Sequence, residues 1–61
     1  MSARAEWASW MEIMERQRQS YIQMARIATK ANRLEMAAGL LCVAEDISRL
    51  IDLAKKELMV N

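Results

Sequence analysis

Apolar residues recur every three or four positions along much of the chain, first as Trp7, Trp10, Met14, Tyr21, Met24 and Ala28, with a polar gap at Gln17, then as Leu40, Ala44, Ile47, Ile51, Ala54 and Leu58. With 3.6 residues per turn, that spacing lines one side of an α-helix, so two helical seams are written into the sequence. Nothing in the composition opposes them. Proline is absent, Gly39 is the single glycine, and Ala, Leu, Met, Glu, Lys and Arg, all good helix formers, dominate. The chain is predicted to be all-α.

The break between the seams falls at 29–32. Asn32 followed by Glu35 is a capping-box pattern, with Ala31 and Met36 placed as a hydrophobic staple, so Asn32 is the expected N-cap of the second helix. Lys30, a cation near the end of the first helix, suits the helix dipole there. With Ser2 as the first N-cap, residues 1–61 form a single helical-hairpin domain: helix 1 over about 3–29, a turn at about 29–32 and helix 2 over about 33–59. Folding the chain at Ala31 sets Trp7 by Ala54, Trp10 by Ile51, Met14 by Ile47, Gln17 by Ala44, Tyr21 by Leu40 and Met24 by Ala37, so large residues meet small ones at several layers. The same register brings Arg16 and Arg18 towards Glu45 and Asp46. Two alternatives stay open. Ser20 with Gln23 is a second capping-box pattern within helix 1, and Gly39 offers a later turn, although that would leave Leu40 to Val43 in an apolar loop.

A chain of 61 residues buries too little surface to offset its conformational entropy comfortably without a staple or a partner. Cys42 is the only cysteine and there is no histidine, so neither an internal disulfide nor a structural zinc fits. Hydrophobic residues make up 54% of the chain, and Ile13 and Ile27 on one side of the helix 1 seam, with Met11, Ile22 and Ala25 on the other, spread its apolar arc beyond what one neighbouring helix covers. Two antiparallel hairpins dimerising into a four-helix bundle satisfy both demands. The expected oligomer interface comprises Trp7, Trp10, Met14, Tyr21, Met24, Leu40, Ile47, Ile51 and Leu58.

Reactive chemistry is thin. There is no glycine-rich phosphate loop, no paired-cysteine spacing, and no base beside Tyr21 or the serines, so the chain reads as no enzyme, with no cofactor and no bound metal. Glu12 and Glu15 fall on the polar side of helix 1, where solvated carboxylates are ordinary. Cys42 reads as a small apolar residue at the edge of helix 2, with a redox handle as the alternative. The longest uncharged stretch, Met36 to Ala44, is too short to cross a bilayer and the first ten residues lack the apolar run of a signal peptide, so the expected location is cytoplasmic, with no membrane partner.

Two surfaces carry functional expectations. Trp7, Trp10, Met11 and Met14 form an aromatic and thioether patch suited to protein capture or to a homodimer core. Residues 16–34 contain no acid, and Arg16, Gln19, Gln23, Arg26 and Lys30 share one row of helix 1, a stripe able to meet phosphates. A net charge of +1 supplies little long-range pull on a polyanion, so another protein is the expected partner and nucleic acid the alternative.

In length and hairpin plan the sequence resembles the Rop-type plasmid proteins, short helical hairpins that pair into RNA-binding four-helix bundles. In its compact, methionine-rich style it resembles small accessory proteins of lambdoid phages. The resemblance is one of architecture, and it implies a small regulatory module that self-associates and modulates a partner in the host cytoplasm.

Overall fold

The computed structural model describes the backbone of residues 3–59 and the side chains of residues 5–57. Two helices, α1 (Ala3–Lys30) and α2 (Leu34–Met59), pack against each other as an antiparallel hairpin, and no strand occurs among the described residues. The molecule measures 46 × 18 × 10 Å, a single layer two helices wide. Helix α1 passes through Ser20 without a break, and Gly39 lies inside α2 with an ordinary negative φ.

The connection differs from the capping box expected at Asn32. Asn32 has φ 60°, the left-handed conformation that ends helices. Its N–H donates to Thr29 O at 3.0 Å, and the Arg33 N–H donates to Ala28 O at 2.8 Å, the paired bonds of a Schellman motif closing α1. Helix α2 takes its first hydrogen bond from the Ala37 N–H to Arg33 O at 3.0 Å, so Arg33, not Asn32, stands at the N-cap. The physical reason is economy of residues. Stop and start fall within three positions, and asparagine is the one residue there that tolerates positive φ well, so it serves the stop.

The seam between the helices is rich in alanine. Ala25, Ala28, Ala37, Ala44, Ile47, Ile51 and Ala54 are its buried members. On α2 this is the expected row. On α1 the row turns by about one position, to Met11, Met14, Arg18, Tyr21, Ala25 and Ala28, all buried or half-buried, while Gln17 and Met24 are exposed. The correction has a steric cause near the turn, where Ala25 and Ala28 of α1 and Ala37 of α2 are all buried: alanine allows two backbones to approach closely, which Met24 in the seam would oppose. Arg18 occupies the polar gap in place of Gln17, its stem against the seam and its guanidinium donating to Glu15 Oε1. The cross-helix pairs expected of Arg18 and Asp46 also give way to pairs within a helix, Arg18 with Glu15 and Arg49 with Asp46, the latter at 3.4 Å.

Candidate interaction face

Because alanine supplies five of the seven buried seam residues, many of the large apolar side chains lie on its flanks. One residue before each seam position, both helices carry a second row: Trp10, Ile13, Gln17, Ser20, Met24 and Ile27 on α1, and Met36, Gly39, Val43, Asp46, Leu50 and Leu53 on α2. In an antiparallel hairpin of right-handed helices these two rows emerge on the same side of the layer. Trp7 and Trp10 accordingly share a groove of about 570 Å³ with Leu50, Leu53 and Ala54, the two indoles meeting edge to face with centroids 5.5 Å apart. Ile13 (52% exposed), Ile27 (66%) and Leu53 (58%) lie open on this face, with Met24, Met36, Val43 and Leu50 beside them. Among the described residues, Leu34 and Leu41 are the only exposed large apolar side chains placed elsewhere.

The opposite face is polar and mixed in charge. Glu12, Glu15, Arg18 and Lys55 surround a shallow groove beside Met11 and Ile51. Glu15 is held below the ordinary carboxylate range, chiefly by the hydrogen bond from Arg18, and Arg18 is raised in return. Nearer the turn, Ile22, Ala25 and Leu41 form an apolar groove of about 320 Å³ bordered by Arg26, Thr29 and Lys30. Thr29 donates its hydroxyl back to Ala25 O at 2.9 Å.

The residues singled out from the sequence divide accordingly. Ile47 and Ile51 are buried in the seam within the hairpin; Met14, Tyr21 and Leu40 belong to the same seam and are half-buried; Trp7, Trp10 and Met24 border or lie on the open apolar face. The Leu58 side chain lies outside the described residues. Arg16, Gln19, Gln23, Arg26 and Lys30 are all exposed, on the outward and polar sides of α1, away from the apolar face. Cys42 is exposed, on the outward side of α2. Sequence reasoning missed Leu53 and underweighted Ile13, Leu50 and Met36; the signal was present as the row one residue ahead of each seam. No helix of the described residues is long and apolar enough to cross a membrane, and no group of three or more His, Cys, Asp or Glu residues is placed to hold a metal ion among them. No known protein family, curated protein or solved structure matches the chain.

Proposed function

We propose that this chain is the protomer of a homodimeric four-helix bundle, a small non-enzymatic interaction module whose apolar face is covered by a second copy. The observation that carries the reading is segregation: nearly every large exposed apolar side chain lies on one face of a two-helix layer. The surface area agrees. The hairpin exposes 5023 Å², against about 4,000 Å² for a compact monomer of 7.0 kDa, and the excess of about 1,000 Å² is close to the ~800 Å² each partner buries in a standard interface. A dimer formed this way leaves the polar face free, and the groove between Ile22 and Leu41, bordered by Arg26 and Lys30, is the surface on which the module would meet a further protein.

A second reading keeps the dimer and assigns RNA or DNA to the outward row Arg16, Gln19, Gln23, Arg26 and Lys30, because all five are exposed and stay so when the apolar face is covered. Under that reading affinity falls steeply with salt, whereas apolar contact with a protein does not.

Paired substitutions test the dimer. Leu50→Glu sets a charge on the apolar face and is expected to weaken self-association at least a hundredfold, which corresponds to about 3 kcal/mol. Leu41→Glu, on the opposite face, is expected to leave the dimer intact. Size-exclusion profiles across a dilution series read both, and equal behaviour of the two variants contradicts the proposal.

A further inference from the structure

The apolar face is not uniform along its length, and its irregularities select one way of stacking two copies. Trp7 and Trp10 share a groove with Leu50 and Leu53 at one end, and the turn joins Lys30 to Leu34 at the other. That register sets the face in layers: Trp10 level with Leu53, Ile13 with Leu50, Gln17 with Asp46, Ser20 with Val43, Met24 with Gly39 and Ile27 with Met36. Its polar members, Gln17, Ser20 and Asp46, therefore fall together near mid-height.

A two-fold dimer buries this face in one of two ways. With the turns at opposite ends, each helix stacks on its own copy and the two Asp46 carboxylates, each paired only with the exposed Arg49 of its own helix at 3.4 Å, approach each other across the axis. With the turns at the same end, α1 stacks on the partner's α2. Each Asp46 then meets the partner's Gln17 amide and Ser20 hydroxyl, both able to donate to it, and apolar layers meet apolar layers. Like charges brought together out of water oppose association, while donors facing a carboxylate favour it.

Gly39 adds a second observation. A glycine inside a helix costs about 1 kcal/mol relative to alanine, yet a Cβ at Gly39 would meet nothing within 4 Å in its own chain. The hairpin itself gives no steric reason for the residue. In the arrangement with turns together, this gap lies opposite the partner's Met24 and Ile27, which are 43% and 66% exposed in the hairpin; with the turns opposed it would face the partner's Leu53, so the gap supports a second copy on this face while Asp46 chooses its direction.

We infer that the second copy docks with its turn at the same end of the bundle, α1 over the partner's α2, positioned by Asp46 against Gln17 and Ser20 and by Met24 and Ile27 over Gly39. The inference rests on the dimer proposed above. It is tested by a spin label at Ala31→Cys in a Cys42→Ser background, with the label-to-label distance read by pulsed dipolar spectroscopy. Stacked turns place the labels about 20 Å apart, two helix diameters. Opposed turns place them near the full length of the molecule, which spans 46 Å. A short distance supports the inference, and a distance of about 40 Å or more overturns it while leaving the dimer standing. No dipolar coupling at all, in a labelled chain that remains helical, removes both. Asp46→Asn gives an independent reading. It keeps shape but weakens the acceptor, so the dimer is expected to loosen several-fold. A tighter dimer would mean that two carboxylates had been facing each other, and would overturn the inference.

Discussion

At the scale of single residues, the turn shows how one side chain decides between two local structures. Asn32 followed by Glu35 is a legitimate start signal, and the sequence alone reads it so. The choice depends on backbone geometry that a pattern of residue types does not carry: with α1 ending at Lys30, someone must take the left-handed position, and Ala31 and Arg33 are worse candidates than asparagine. This assignment reverses the expected effect of glycine. Were Asn32 an N-cap, Asn32→Gly would be neutral or slightly damaging. At a left-handed helix terminus it relieves a residual steric cost, so Asn32→Gly is expected to raise stability by roughly 0.5–1 kcal/mol, and Asn32→Ala to lower it by about 1 kcal/mol. Thermal unfolding of the two variants checks the sign of each. Gly39 reads the other way: the sequence offers it as a helix terminator, but its φ is not positive and α2 runs through it.

At the scale of the elements, the period of each helix was legible and its rotation was legible for α2 only. In α2 the row Leu40, Ala44, Ile47, Ile51 and Ala54 is the row that faces α1; polar Glu45, Ser48, Asp52 and Lys55 follow it on one side, and Asp46 interrupts the apolar row on the other. In α1, Met24 and Ala25 are adjacent and both apolar, so hydrophobicity does not separate them. Close packing does, and it selects the smaller residue. The same one-position turn brings Arg18 to the seam and into its pair with Glu15. That pair has a pH signature. The Glu15 carboxyl lies below its ordinary 4.5 in the folded chain, so its contribution to stability is present above that value and is lost as pH falls through the lower, folded value. Both groups are open to solvent, which keeps the effect small. The melting temperature is expected to decline below about pH 4.5 somewhat less steeply in Glu15→Gln than in the parent chain, and identical slopes would show that the pair adds nothing to folding.

At the scale of the whole molecule, the hairpin was legible and its open face only partly so. Two seams of equal length joined by a short polar turn leave little freedom in how the helices meet. The face emerges only when the seam is known to be alanine-rich, because that places Ile13, Ile27, Leu50 and Leu53 outside rather than between the helices. A layer with a Cα thickness of 10 Å has no interior in which to hide them. Folding and association are therefore expected to be linked, with stability that rises with protein concentration. Sedimentation equilibrium of the unmodified chain, with helicity followed by circular dichroism over the same dilution series, tests this most directly. The account predicts twice the 7.0 kDa chain mass at micromolar concentration, with helix content falling as dilution drives dissociation. A fully helical species that stays at the mass of one chain at every concentration would contradict it.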